Sequence, residues 1–261
     1  MNTYNSYIIY SDNESKKIVS ENQISTLTEK WKVLMDVWLI LSDEYSFVEN
    51  QTYPRPSHPI ENLRKNVLYT ICSILISLRT TLENEKIATN NLITNYPDLE
   101  KLKQAKASDI AELIKVTWMQ NTKAEKITQI LKRNINFEEL KKLNQKEITE
   151  ILLTLPWIWQ KATDCILLLW LDLPSFIIDI NVFRVIKRLF NIDPENLDYT
   201  KNKQIIEIKK ILEDNLPRDT KLFQILHTYY LLHWKYICKS KPECSKCKIK
   251  NKCMYYKTLN S

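Results

Sequence analysis

Leu155-Pro156-Trp157-Ile158-Trp159-Gln160-Lys161, followed 18 residues after its lysine by Asp179 in Phe176-Ile177-Ile178-Asp179-Ile180-Asn181-Val182-Phe183-Arg184, is the stretch on which the fold turns. It sits between two segments, 144–155 and 161–169, whose apolar residues recur every three or four positions. That period is helical, so the stretch reads as helix, tight hairpin, helix. A hairpin of this kind can offer backbone N–H groups to a phosphate, aided by the positive end of the second helix. Pro156, Trp157, Ile158, Trp159 and Gln160 are therefore candidate contacts to a phosphate backbone. Lys161 falls in the first turn of the second helix. It is either a solvated lysine or a reactive one, and the choice depends on Asp179. A helix of about nine residues and a return loop could bring the carboxylate back beside the amine. Asp179 could equally be the N-cap of a helix through Arg188.

Outward from this stretch, nearly everything reads as helix. Helical periodicity runs through 27–42, 62–79, 84–94, 109–117, 123–132, 181–190, 203–212 and 219–233 as well. No run alternates as a strand, and residues 1–25 are polar and unpatterned, which predicts a loose arm. Asp109 with Glu112, and Thr122 with Glu125, have capping-box spacing. Breaks cluster at Tyr53-Pro54-Arg55-Pro56, Pro156, Pro174 and Pro217. The fold class expected is all-α.

The 261 residues are 44% hydrophobic and carry a formal charge of +7, which suits a polyanionic partner. No apolar run reaches the ~18 residues that span a bilayer, and the polar start is not a signal peptide. A cytoplasmic, nucleoid-associated protein in a reducing compartment is expected. Cys238, Cys244, Cys247 and Cys253 follow C-x5-C-x2-C-x5-C. Four thiolates so close in sequence can wrap one compact group, a [4Fe–4S] cluster or, as the alternative, zinc. Lys246, Lys248 and Lys250 lie among them, with Lys239, Lys241 and Lys252. They can balance the charge of a cluster or reach a phosphate backbone. Cys72 and Cys165 fall on apolar helical stretches and read as core.

The segment from Leu155 to Arg188, with Lys161, Asp179 and Val182-Phe183-Arg184-Val185, resembles the catalytic core of the endonuclease III family of helix-hairpin-helix DNA glycosylases. The cysteine loop resembles that family's [4Fe–4S] loop, with five residues where the commonest form has six between the first two ligands. Ser77-Leu78-Arg79-Thr80 and Asn121-Thr122-Lys123-Ala124-Glu125-Lys126-Ile127 add to the likeness, which spans roughly residues 30–256. The resemblance implies two helical domains with the active site in the cleft between them. A six-helix barrel carrying the hairpin would span 62–172. An iron–sulfur domain would combine 26–61 with 173–256, leaving 257–261 as a tail. It implies a monomeric, bifunctional enzyme that removes oxidised pyrimidines from duplex DNA and nicks abasic sites by β-elimination. Lys161 would be the nucleophile, Asp179 its partner, and Arg79 the residue that fills the space left by a flipped nucleotide. The alternatives are a non-catalytic iron–sulfur DNA-binding protein, an adenine-mismatch glycosylase, whose lysine position holds a hydroxyl residue, and a zinc-bearing adaptor.

One departure is systematic. The chain has no glycine and seven tryptophans, where roughly 18 glycines would be usual. The family's hairpin reads Leu-Pro-Gly-aliphatic-Gly, and Trp157 and Trp159 stand at both glycines. Trp118, Trp170 and Trp234 stand at further glycine positions, at expected helix ends. This pattern points to a gene that reads UGA as glycine and has been translated with UGA as tryptophan. Trp31 and Trp38 instead lie on an apolar helical stripe and read as true core residues.

Overall fold

The computed structural model describes residues 8–11, 15–18, 29–45, 67–133, 135, 137–193, 199 and 202–259. The chain divides into two compact units, one of residues Arg55–Leu173 and the other of Met1–Pro54 with Pro174–Ser261. The break at Tyr53-Pro54-Arg55-Pro56 and the start of the helix expected over 62–79 lie outside the described residues.

In the first unit the chain runs through α2 (Val67–Ser77), α3 (Leu82–Asn95), α4 (Leu99–Gln104), α5 (Ala107–Leu113), α6 (Gln120–Leu131), α7 (Phe137–Leu140), α8 (Gln145–Leu153) and α9 (Gln160–Leu169). α2 is apolar nearly all round, so it is central. Leu68, Ile71, Leu75 and Ile76 pack with Leu92, Ile110, Ile127, Leu152 and Ile166 from the surrounding helices. Cys72 is buried in this core. Burial pushes its thiol up to about 12, so it behaves as an inert apolar residue.

The second unit contains α1 (Glu29–Glu44), α10 (Ile180–Leu189), α11 (Asn202–Asn215), α12 (Thr220–Tyr236) and α13 (Met254–Leu259). Trp31 and Trp38 are buried on one face of α1, as their stripe predicts. Phe176, Phe183, Phe223, Tyr229 and Tyr230 complete the core, with the Phe176 and Phe223 rings 5.1 Å apart. α13 carries the chain on past the last cysteine to Leu259.

Three local expectations are corrected. Within the arm, β1 (Ile8–Ser11) pairs antiparallel with β2 (Ser15–Ile18) in the register Ile8 to Ile18. Ile8-Ile9-Tyr10 has strand-forming residue types, but four residues are too few to show a period. The boxes at Asp109 and Thr122 do not form. α5 starts after Lys106 and α6 after Met119, neither with a side-chain cap, so both residues are already inside helices. Burial of Ile110, Lys123, Ala124 and Ile127 sets these boundaries in place of local capping. A complete capping box forms at Asn144 and Glu147 at the start of α8. Trp234 lies inside α12, which continues to Tyr236, so it does not end that helix.

Candidate active site and cysteine loop

α8 ends at Leu153, and Ile158 N donates to Leu155 O at 3.2 Å to close the hairpin. Ile158 is buried and anchors the turn in the core, while Trp157 takes φ 62°. That left-handed conformation is the one a glycine reaches without strain. Trp159 has an extended backbone and caps α9 without a side-chain hydrogen bond. Among the described residues, the N–H groups of Trp159, Gln160 and Lys161 have no backbone acceptor. They form an open donor row at a helix N-terminus, suited to an anion. The Trp157 and Trp159 rings stack with centroids 6.4 Å apart, and Trp159 is 63% exposed. Gln160 Nε2 donates to the buried Asp164 Oδ1 at 2.9 Å, which turns that side chain along the helix. Lys161 is exposed.

Asp179 belongs to the second unit. Phe176, Ile177 and Ile178 are buried ahead of it, Phe176 N donates to Glu213 Oε1 at 2.7 Å, and Tyr199 OH donates to Ile178 O. The carboxylate is itself buried and caps α10, with Oδ1 accepting from Asn181 N and Val182 N, both at 2.8 Å. Oδ2 has no hydrogen-bond partner among the described residues. The N-cap reading of Asp179 is thus correct, yet it occupies one oxygen only.

Arg79 lies in the turn after α2 at φ 51°, exposed, its guanidinium 5.7 Å from the centre of the Trp118 ring.

The four loop cysteines are free thiols that line a single pocket, together with Val185, Arg188 and Leu189. Burial pushes the Cys247 thiol up to about 12 and raises those of Cys238 and Cys253. Among the described residues, no three Cys, His, Asp or Glu side chains converge closely enough to share one ion. Arg188 ties the loop to α10. Its Nη1 donates to Cys238 O and Lys239 O at 2.6 Å each, its Nη2 to Ser240 O at 3.1 Å, and Nη1 lies 3.5 Å from Cys238 Sγ. His233 Nε2 is 3.7 Å from Cys247 Sγ, and burial lowers its pKa to about 4. Neither residue stands out by charge. The available signal for Arg188 is its place on the apolar stripe of Val185 and Leu189, at helical spacing.

The loop lysines are not equivalent. Glu243 holds Lys239 and Lys246, the latter at 2.8 Å, and these hydrogen bonds lower its carboxyl pKa to about 2. Lys250 Nζ donates to Ser245 O at 3.1 Å, and Lys252 pairs with Asp36 of α1. Lys248 is exposed near Glu44, and Lys241 is exposed.

The profile of the HhH-GPD superfamily base excision DNA repair proteins matches residues 72–217. An endonuclease III of Rickettsia felis is 29% identical over 203 residues, covering 77% of this chain and 89% of that protein. An endonuclease III of Thermotoga maritima is 28% identical over 188 residues, covering 72% and 82%. Among solved structures, a trapped endonuclease III–DNA covalent intermediate superposes with a TM-score of 0.62 at 17% identity, covering 87% of this chain and 99% of that one. A thermostable thymine-DNA glycosylase does so with 0.65 at 24% identity, covering 88% and 98%. Both share the all-α fold.

Proposed function

The chain belongs to the HhH-GPD superfamily of base excision DNA repair proteins, and on that premise we propose a bifunctional enzyme that removes oxidised pyrimidines from duplex DNA and cleaves the abasic site. The carrying observation is the placement of Lys161 at an open helix N-terminus, where the N–H groups of Trp159, Gln160 and Lys161 have no backbone acceptor among the described residues. A damaged nucleotide is cheaper to unstack and flip, which exposes its C1′. The Lys161 amine, once neutral, attacks C1′. The N-glycosidic bond breaks, and its electron pair leaves with the base, which takes up a proton. Opening of the sugar ring gives an imine between Lys161 and C1′. Loss of a C2′ proton then expels the 3′ phosphate by β-elimination. The Asp179 carboxylate, with Oδ2 uncommitted, stabilises the cationic sugar or accepts the lysine proton. Pro156, Trp157, Trp159 and Gln160 form the DNA-facing side of the hairpin, while Ile158, expected from the sequence as a contact, is buried in the core and anchors the turn from beneath. Arg79 enters the duplex, and Lys246, Lys248 and Lys250 add salt-dependent affinity.

The cysteine chemistry fits a [4Fe–4S] cluster. Four thiols ring one cavity without closing on a point, as a multi-atom group requires, and buried thiols at raised pKa need cationic iron to ionise. Cys238, Cys244, Cys247 and Cys253 would hold it, and Arg188 would offset its negative charge. When bound, the cluster supplies a fold clamp for the lysine-bearing loop.

Borohydride trapping on duplex DNA with an abasic site tests the proposal. A covalent adduct that vanishes in Lys161→Ala is expected. Binding without any Lys161-dependent adduct refutes the lyase and leaves a DNA-binding protein of the same fold.

A further inference from the structure

Lys123 is a buried cation outside the machinery above. It is 1% exposed on α6, within the core of the first unit, and Nζ donates to Ile76 O at 2.8 Å. Ile76 lies in the last turn of α2, where four carbonyls lack helical partners. Three are satisfied locally. Ser77 Oγ donates to Ile74 O at 2.7 Å, Leu78 N to Leu75 O at 3.3 Å, and Thr80 N to Ser77 O at 3.4 Å. The fourth, Ile76 O, takes its donor from Lys123 across 47 residues of sequence. A cation there also faces the negative end of the α2 dipole.

The turn held this way carries Arg79, at φ 51° and exposed. On the α6 side, Lys123 N donates to Met119 O at 2.9 Å, next to Trp118, whose ring lies 5.7 Å from the Arg79 guanidinium. The Lys123 side chain therefore ties the turn that holds Arg79 in a left-handed backbone to the first turn of α6, from which its own backbone rises beside Trp118. Burial pulls the Lys123 pKa down to about 8, while nearby Glu85 favours the charged form. Keeping an ammonium in this place is costly, and a merely structural cap could be supplied by a neutral donor.

We propose that Lys123 is a positioning residue for DNA engagement: its ammonium holds the Ser77–Thr81 turn so that Arg79 is presented, in its strained form, to the duplex. This rests on the DNA-repair reading above, and on Arg79 being the residue that enters the DNA.

The test is a double-mutant cycle in the full chain, Lys123→Met with Arg79→Ala. Affinity is measured by fluorescence anisotropy for a duplex with a tetrahydrofuran abasic analogue opposite 2-aminopurine. Lys123→Met should weaken binding about tenfold when Arg79 is present and less than about twofold in the Arg79→Ala background. The 2-aminopurine signal should fall in parallel. Lys123→Gln keeps a donor but loses the charge, so it should show the same Arg79-dependent losses at smaller size, and it carries the cycle if Lys123→Met does not fold. Equal losses in both backgrounds, or no loss with Arg79 present, overturn the inference. So does an Arg79→Ala variant that binds normally. Failure of borohydride trapping in the unmodified chain would instead refute the lyase proposal while leaving the binding cycle readable.

Discussion

Asp179 caps α10, and substitution can separate that cap from the role proposed for it in catalysis. Its Oδ1 accepts from two backbone N–H groups of α10, and the proposed catalytic role needs the negative charge. Asp179→Asn keeps an oxygen in place for the cap and loses only the charge at the helix N-terminus, costing about 0.3–1 kcal/mol. Asp179→Ala removes the cap as well. One part-buried and one buried donor then lose their acceptor, and the cost rises to about 1–2 kcal/mol. At roughly 2–4 °C per kcal/mol for a chain of this size, melting should fall by a few degrees in the alanine variant and by about half as much in the asparagine variant. Both variants should lose glycosylase turnover on an oxidised-pyrimidine duplex by about 100-fold or more, the scale of a positioned acid–base group. Thermal unfolding and single-turnover base release measure the two effects on one sample. If Asp179→Asn retains full turnover, the residue is a helix cap and nothing more. If the asparagine variant is as unstable as the alanine one, the N-cap account of the geometry is wrong.

Lys123 titrates near pH 8 in the folded chain against 10.5 in the unfolded one. Its depressed pKa means the unfolded state binds more protons between those values, so its destabilising contribution is present below about pH 8 and fades as pH rises to 10.5. The stability difference between the unmodified chain and Lys123→Gln should therefore shift toward the former across that window, by on the order of 1–3 kcal/mol. Glu243→Gln releases Lys239 and Lys246, so DNA affinity should rise at low salt and the slope of log K against log salt should steepen by up to about 1–2. An unchanged slope would place those lysines away from DNA. Asn144→Ala dismantles the capping box of α8 and should cost about 1 kcal/mol in denaturant unfolding without altering trapping by Lys161.

The long helices were legible because a 3.6-residue period sustained over nine or more residues matches a helix and no other regular backbone, and α8, α9, α10 and α12 follow it. That Cys238, Cys244, Cys247 and Cys253 would gather about one space was legible from their spacing, and the four line one pocket. α4, α7 and α13, of six, four and six residues, are too short to carry a period. Arg188 and Lys123 escaped for the opposite reason. A charged residue reads as solvated, and only the three-dimensional count of orphan carbonyls shows that each is the donor a buried segment lacked. The spacing that marked Asp109 and Thr122 as caps was equally real, but burial of neighbouring apolar residues moved the helix starts upstream of both.

The five tryptophans at glycine positions are not alike in the structure. Trp157 alone has positive φ, and replacing it with glycine relieves about 1–2 kcal/mol of left-handed strain. Trp159 is extended and Trp170 right-handed, so glycine there gains nothing in φ and matters only for close approach of another group. Trp118 precedes the strained Met119. Trp234 sits within α12 under the guanidiniums of Arg184 and Arg188, at 5.0 and 5.4 Å, where glycine costs about 1 kcal/mol of helix propensity and both cation–π contacts. In the chain as written, Trp157→Gly should therefore raise melting and Trp234→Gly should lower it. Drift under selection would retain tryptophan at 234 and shed it at 157. Recoding makes no such distinction, because one codon reassignment changes all five positions together. The intact mass of protein purified from its natural source decides between them: glycine at all five, including 234 where stability favours tryptophan, is the signature of recoding, and UGG at these codons refutes it.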